Sequence, residues 1–234
     1  MFGYLYYYNW SYLVLMIPCI IISLICQIRV QSAYSKYSKI QNSRHMTGAQ
    51  AAQHVLMSNG VTNVRIERVG GKLTDHFDPR TNVIRLSEGV YDSATVAAVG
   101  IAAHEAGHAV QHAQNYLPNK IRSAILPVAN IGSKLSWIFI IIGLAMPNFG
   151  NLMLNIGIVF FAASVLFTVA TLPVEFNASA RALRCIRETN ILYEDEYAGA
   201  RSVLRAAAMT YVAAALTAML QLLRLILIAN SRRR

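Results

Sequence analysis

Residues 102–113 read AAHEAGHAVQHA, and within them His104, Glu105 and His108 form a His-Glu-x-x-His motif. On an α-helix, residues four apart lie on one face with Cβ atoms about 5–6 Å apart. Both imidazoles can then reach a single metal ion at about 2.0–2.1 Å, the usual zinc–nitrogen distance. The motif therefore predicts a Zn²⁺ site on a helix.

Glu105 follows His104 by one residue, which turns it about 100° around a helix with roughly 3.6 residues per turn. It then flanks the ion without ligating it, as a general base would. Because zinc lowers the pKa of bound water towards about 7, this carboxylate can accept the proton of the attacking water. The alternative interpretation is a pair of histidines that are satisfied without a metal.

The surrounding residues 93–112 are predicted to form the helix. Asp92 or Ser93 can cap its N-terminus, and neither proline nor a turn cluster interrupts it. Its apolar side is formed by Val96, Val99, Ala103 and Val110.

The composition predicts a membrane protein. The chain has 234 residues, of which 55% are hydrophobic and 14% charged, and its mean hydropathy is +0.40. A chain of this composition is too apolar for a soluble enzyme. The length allows one domain or one and a half.

Four apolar runs locate the spans. Residues 11–28 carry no charge and are predicted to be an uncleaved anchor, because the positive charges follow the run instead of preceding it. Runs 135–146, extendable towards Ala129, and 152–172 predict a transmembrane hairpin. An interfacial aromatic belt is expected before the first run, from Tyr4, Tyr6, Tyr7, Tyr8, Trp10 and Tyr12.

The fourth run, 206–229, is interrupted by Arg224. It is predicted to span, with packing along the interface as the alternative, so three to four transmembrane helices are expected. The helix that carries His104 to His108 is called the HEAGH helix below. The basic stretch 29–44 places it on the cytoplasmic side. Four spans would, however, leave the arginines at 232–234 outside, against the same rule.

The net charge of +10 favours attraction to anionic lipid, because no nucleic-acid-binding module accompanies it. We therefore expect no nucleic-acid partner. Cys19, Cys26 and Cys185 are isolated, so neither a disulfide framework nor a cysteine zinc site is indicated, and we interpret them as packing residues.

Residues 31–117 are predicted to be a compact α+β unit. Thr47 and Gln50 form a capping box for a helix over 47–58. Strands are expected at 64–69, 73–77 and 83–86. His45 and His54 lack a partner at ligand spacing and are interpreted as surface or packing residues.

A strand directly before the HEAGH helix could bind an extended substrate if its edge is free. On this hypothesis, proline at Ile84 should raise the KM for peptides.

A catalytic zinc needs three protein ligands, so a third must be found. His112 continues the helical series but lies about 12 Å from His104, at 1.5 Å per residue, which is too far for one ion. Glu175 is the better candidate. It follows Pro173, where a new helix is predicted to start after the third apolar run.

Six ordered motifs carry a family resemblance that covers about residues 29–229. The chain resembles the YugP-like neutral zinc metallopeptidases of bacterial membranes, which are distantly similar to gluzincins of the HtpX type. The motifs are KLTDHFDPR, VIRLSEGVY, AAHEAGHAVQHA, LPVANIGS, LPVEFNASARAL and AAAMTYVAAALTAMLQLLRL.

The resemblance implies a mainly α membrane protein with a small zincin-like α+β catalytic part. It also implies zinc ligands His104, His108 and Glu175, with Glu105 as base. In the wider group the third ligand belongs to a Glu-x-x-x-Asp motif, whose last position is Ser179 here. Ser179 can orient a ligating imidazole only as a neutral hydrogen-bond partner.

Three residues are candidates for stabilising the oxyanion, namely His76, Arg181 and Tyr211. Arg181 could instead pair with Glu175, Tyr211 could be a core or belt residue, and His76 could simply be exposed.

Together these observations predict a zinc endopeptidase of the bacterial cell membrane that acts on membrane or membrane-associated proteins. Its partners would be a protein or peptide substrate and the bilayer. A non-catalytic zinc-binding membrane protein and a metal transporter are the alternatives. The expected segments are an anchor over 1–30, the α+β part over 31–128, the hairpin over 129–172, the third-ligand helix region over 173–205, and an apolar helix with a basic tail over 206–234.

Overall fold

The computed structural model describes residues 2–146 and 149–232, with side chains described from Leu13 onward. Three predictions fall on other parts of the chain. The aromatic belt lies outside the described side chains, as do Pro147 and Asn148, which separate the two runs of the predicted hairpin, and the tail residues Arg233 and Arg234.

Within the described residues the fold is mainly helical, with one small sheet. The elements are α1 Phe2–Tyr37, α2 Gly48–Ser58, β1 Arg65–Val69, β2 His76–Asp78, β3 Val83–Ser87, α3 Glu88–Tyr91, α4 Val96–Ala113, α5 Leu117–Ala145, α6 Gly150–Glu188 and α7 Glu194–Ser231.

Four of the described helices are long and apolar enough to cross a membrane. They contain the four predicted apolar runs, except for Met146 directly after α5, and each exceeds the roughly 20 residues that a bilayer core requires. The candidate spans are Leu13–Tyr37, Leu117–Ala145, Gly150–Glu188 and Glu194–Ser231. The predicted fold class, a mainly α membrane protein with a small α+β part, is thus confirmed.

The helix starts differ in how well local sequence predicts them. The capping box of α2 is confirmed, since Thr47 Oγ1 accepts from the Gln50 N–H at 3.3 Å and Gln50 Oε1 accepts from the Thr47 N–H at 2.9 Å. The predicted start of α4 is wrong. Thr95 caps it, accepting from the Ala98 N–H at 3.3 Å, because Asp92 instead ends the short helix α3.

Helix α6 passes through Pro173 without ending. The predicted new helix start at this proline is therefore wrong. Long apolar helices tolerate an internal proline when neighbouring groups satisfy the local backbone. Two side-chain hydrogen bonds reach the backbone on either side of this proline: Thr171 Oγ1 donates to Phe167 O at 2.9 Å, and the side chain of Gln111 donates to Val174 O at 2.8 Å.

The three strands have the order β1-β3-β2, with β1 parallel and β2 antiparallel to β3. Because β3 is central, both of its edges are already paired, and the hypothesis of a substrate on the edge of β3 at Ile84 is wrong. The second strand begins at His76, later than predicted. Leu73 has φ 56°, a left-handed conformation that cannot continue a strand.

The chain divides into two compact units. The HEAGH unit comprises Cys26–Asn119 and Pro173–Met209. Its core joins α2, β3 and α4 to the later turns of α6 and the first turns of α7, through residues such as Leu56, Ile84, Val99, Ile186 and Leu204.

The apolar unit comprises the described residues of Met1–Ile25, Lys120–Leu172 and Thr210–Arg234. Within it α5 and α6 pack closely. A Cβ added at Gly157 would lie 2.8 Å from the side chain of Ile140, and the rings of Phe139 and Phe160 stack at 5.7 Å. Glycine lets the two backbones approach, as small residues do between membrane helices.

Candidate metal centre

Three side chains of the HEAGH unit converge at one point. His104 and His108 lie one turn apart on α4, and Glu175 reaches them from α6. The two Nε2 atoms are 3.2 Å apart, and Glu175 Oε2 lies 3.3 Å and 3.5 Å from them. Two imidazole nitrogens and one carboxylate oxygen therefore form a nearly equilateral triangle.

The triangle has the size that zinc requires. Tetrahedral ligands at about 2.0–2.1 Å from an ion are separated from one another by about 3.3 Å. The measured edges of 3.2, 3.3 and 3.5 Å agree with this value. A set of two histidines and one glutamate is also a known catalytic zinc set, with a fourth position left for water or substrate.

Burial differs among the three residues. The side chain of Glu175 is only 5% exposed, whereas those of His104 and His108 are 15% and 14% exposed. A carboxylate of such low exposure needs a cationic or hydrogen-bonding partner. The partly exposed imidazoles leave a path from solvent to the triangle.

Each imidazole contacts a neutral side chain through Nδ1. Ser179 Oγ lies 3.1 Å from Nδ1 of His104, and Gln111 Oε1 lies 3.1 Å from Nδ1 of His108. An N–H at Nδ1 that donates to these oxygens leaves the lone pair of Nε2 available for a metal.

The orientation of Gln111 is determined by helix α6. Its Nε2 donates to Val174 O at 2.8 Å and to Asn177 Oδ1 at 3.0 Å, so its Oε1 points at His108. Gln111 is fully buried. Sequence reasoning missed it, although a glutamine three residues after His108 on an apolar helix face was a usable signal.

The pKa of His108 shows the electrostatic character of the site. Burial disfavours the charged imidazole, but the hydrogen bond with Glu175 and the nearby carboxylate of Glu105 outweigh burial and raise this pKa above its usual value. A pocket that favours a proton at this position also favours a metal cation.

Glu105 is partly exposed on α4, between the two histidines in sequence. Within the described part of the chain, its carboxylate forms neither a hydrogen bond nor an ion pair. It is thus available to water or substrate.

Gly107 allows α4 and α6 to approach each other at the centre. A Cβ at this position would lie 2.6 Å from Ala178 O, which is closer than real Cβ contacts. The contact lies between Glu175 and Ser179 in sequence, so the absence of a side chain at residue 107 determines how near both come to α4.

The other sequence candidates lie elsewhere or have other contacts. Arg181 donates to Asn177 Oδ1 at 2.7 Å and to Gln114 Oε1 at 2.5 Å. The ring of His76 is exposed, with Nδ1 2.8 Å from Thr74 O. His112 is exposed, with its ring 5.8 Å from that of Phe77. Tyr211 belongs to the apolar unit and is 37% exposed.

Comparison with known proteins agrees with this geometry. Residues 12–230 match the family described as "Putative neutral zinc metallopeptidase". The chain is 41% identical over 217 residues to "Putative membrane protease YugP" of Bacillus subtilis (strain 168), an alignment that covers 93% of this chain and 96% of the relative. No solved structure matches significantly. With a triangle of zinc-ligand atoms and a family match over nearly its whole length, the chain belongs to the putative neutral zinc metallopeptidases.

Proposed function

We propose that this protein is a membrane-embedded zinc endopeptidase that hydrolyses peptide bonds of membrane or membrane-associated proteins. The observation that carries the proposal is the triangle of ligand atoms, with edges of 3.2 to 3.5 Å. The family match and the four candidate spans support the class of enzyme and its membrane setting.

In this proposal His104, His108 and Glu175 hold the ion, while Ser179 and Gln111 orient the two imidazoles. Zinc, when bound, supplies a Lewis acid that polarises the scissile carbonyl and makes water acidic enough to lose a proton near pH 7. Glu105 accepts the proton of the attacking water and returns it to the leaving amine.

The substrate would need backbone partners near α4. With β3 central, the outer strands are β1 and β2. Strand β2 is the better candidate for pairing with an extended peptide, because its Phe77 contacts His112 at the end of α4.

We further propose that the active site lies on the cytoplasmic side of the bacterial cell membrane. Support comes from the basic stretch 29–44 directly after the first apolar run, since positive loops stay cytoplasmic. The relative from Bacillus subtilis, described as a membrane protease, is consistent with a bacterial membrane.

The test uses the full chain purified in detergent. Bound zinc and chelator-sensitive cleavage of casein are measured for the parent and for Glu105→Gln. We expect both to retain zinc, with cleavage by Glu105→Gln reduced about 10²–10⁴-fold, the usual contribution of a general base. Equal cleavage by both proteins would refute the role of Glu105.

A second comparison tests the alternative of a non-catalytic zinc protein. Zinc bound by both proteins, with no chelator-sensitive cleavage of casein or of membrane-protein substrates by the parent, would favour that alternative.

Glu175→Ala tests the third ligand. Full zinc occupancy in Glu175→Ala would contradict the proposed ligand set.

A further inference from the structure

A basic cleft lies on the HEAGH unit, away from the histidines. It has a volume of about 830 Å³ and is lined by the last turns of α1, the end of α6 and the first turns of α7. This volume is within the range of about 300–1,000 Å³ that is typical of small-ligand sites. Its charged lining residues are Arg29, Lys36, Arg187, Arg201, Arg205 and Glu194.

The cleft has an excess of positive charge. Its acidic residue, Glu194, pairs with Arg187 at 3.0 Å. Within the described part of the chain, Arg29, Arg201 and Arg205 form no ion pair. Clustered cations repel each other in a concave surface, where water screens them less, so the cleft favours an anion.

The cations are arranged along two helix faces. Arg201 and Arg205 are four residues apart on α7, and Arg29 and Lys36 are seven apart on α1, so each pair lies on one side of its helix. Arginine pairs are well suited to a phosphate, because each guanidinium can donate two parallel hydrogen bonds.

Packing between α1 and α7 holds the two walls in place. The ring of Tyr37 lies against Gly199, where an added Cβ would come within 2.7 Å of the ring. Tyr34 and Val203 are buried together beside this contact. The cleft therefore exists before any ligand binds.

The position of the cleft along the chain indicates which phosphate compound it binds. The apolar run 11–28 ends one residue before Arg29, and the apolar run 206–229 begins one residue after Arg205. These cations thus occupy the first polar turns of two candidate spans, where lipid phosphates lie.

The cleft also has an apolar end. Ile28 and Met209 line it and are 66% and 41% exposed, and Ala206 lies between the cations and Met209. A free phosphate ion would not bury these apolar side chains, whereas the first methylene groups of a lipid would remove them from water.

We propose that the basic cleft binds the headgroup of an anionic phospholipid. The phosphodiester is held between Arg29 on α1 and Arg201 and Arg205 on α7, and the acyl chains run along Ile28 and Met209. This site is independent of the metal centre and does not rest on peptidase activity.

The experiment measures lipid binding to the full chain in detergent. Phosphatidylglycerol or phosphatidylcholine is titrated and the bound lipid is counted by native mass spectrometry. We expect the parent to bind one phosphatidylglycerol with an affinity about tenfold or more above that for phosphatidylcholine. Equal affinity for the two lipids would overturn the proposal.

Charge-removal variants locate the site. Arg201→Gln/Arg205→Gln should bind phosphatidylglycerol about tenfold or more weakly, since each basic residue near the membrane surface contributes appreciably to anionic-lipid binding. The matched control, Arg65→Gln/Arg80→Gln, removes two charges outside the cleft and should bind like the parent. Equal weakening in both variants would indicate non-specific attraction and refute the site.

Two further measurements check the folding of the variants and the nature of the bound ligand. Thermal unfolding checks that each variant is folded. If the α7 variant does not fold, Arg29→Gln/Lys36→Gln on the opposite wall replaces it, with the same expected loss. A large excess of inorganic phosphate should leave the lipid bound, and its displacement by phosphate would overturn the lipid assignment.

Discussion

Both imidazoles of the candidate metal centre are oriented at Nδ1 by neutral side chains, Ser179 for His104 and Gln111 for His108. A carboxylate in either place would make the ligating imidazole more basic, whereas a hydroxyl or an amide mainly orients it. Much of the negative charge at the candidate metal centre then comes from Glu175 and Glu105.

Replacing Gln111 with methionine tests this orienting role. The variant keeps the side-chain length but removes the acceptor for His108 and the donor to α6, so we expect zinc affinity to fall about 10–100-fold. Zinc affinity is measured by competition with a chelator. Gln53→Met, at an exposed position of α2, is the control and should bind zinc like the parent. Unchanged zinc affinity in a folded Gln111→Met variant would contradict the role.

Gly107→Ala tests the close approach of α4 and α6. The added Cβ would lie 2.6 Å from Ala178 O. The helices must separate, so both zinc occupancy and unfolding temperature should fall, with a stability loss of about 1–3 kcal/mol, as is usual for overpacking. Gly89→Ala is the control, because its Cβ would meet only Tyr34 Oη at 3.6 Å. Equal zinc content in both variants would show that the contact does not position the ligands.

At the scale of elements, the hairpin of β2 and β3 depends on a charged turn. Asp78 accepts from the Arg80 N–H at 3.0 Å and from Thr81 Oγ1 at 2.9 Å, and it pairs with Arg85 at 3.3 Å. The hydrogen bond from the Arg80 backbone, followed by that from Thr81, lowers the pKa of Asp78 below its usual 3.8.

This lowered pKa predicts a pH dependence for Asp78→Asn. A carboxylate whose pKa is lower in the folded state stabilises the fold above its unfolded pKa, and this contribution is lost as the pH falls through the folded pKa. The variant should therefore unfold at a lower temperature than the parent at about pH 7, and the difference should shrink as the pH falls below the usual 3.8 and vanish once Asp78 is protonated in the folded protein. A difference that persists in acid would show that the charge of Asp78 is not its cause.

Helix α6 shows why an internal proline is a poor guide to helix ends. Local rules favour a boundary at Pro173, yet α6 continues to Glu188. Glu175 and Ser179 both follow Pro173 and are four residues apart on the regular part of α6, so both face α4.

At the scale of the whole molecule, the metal centre joins distant parts of the chain. Gln111 and Val174, which are 63 residues apart, are hydrogen bonded beside it. The core under α4 includes Ile186, Ala200 and Leu204, which all follow the third apolar run. The HEAGH helix therefore depends on residues far downstream for both the third corner of the triangle and its core.

A fragment of residues 31–117 tests this dependence. It keeps His104 and His108 but lacks Glu175 and much of the core. Loss of a side chain that only orients a ligand lowers metal affinity by about 10–100-fold. Because the fragment lacks a proposed ligand itself, its zinc affinity should be more than about 100-fold below that of the full chain. Isothermal titration calorimetry with zinc measures the affinity of the fragment and of the full chain. Full-length Glu175→Ala separates loss of the ligand from loss of the core. Tight zinc binding by the fragment would contradict the dependence.

Short-range patterns accounted for much of the fold. Apolar runs of sufficient length located the four long helices, and Thr47 with Gln50 identified the start of α2. The lengths of the elements were less predictable. The sequence predicted Asp92 or Ser93 as the cap of α4, whereas Asp92 ends α3 and Thr95 caps α4.

The sequence by itself determined that His104, Glu105 and His108 share one helix, because helix geometry makes a four-residue spacing a fixed distance in space. Tertiary structure alone decided that Gln111 orients His108 and that β3 is central, and it brought Glu175, which the sequence had favoured, to 3.3 and 3.5 Å from the two imidazoles. Those features are contacts between residues far apart in the chain. Such contacts depend on how whole elements pack, which no local spacing specifies.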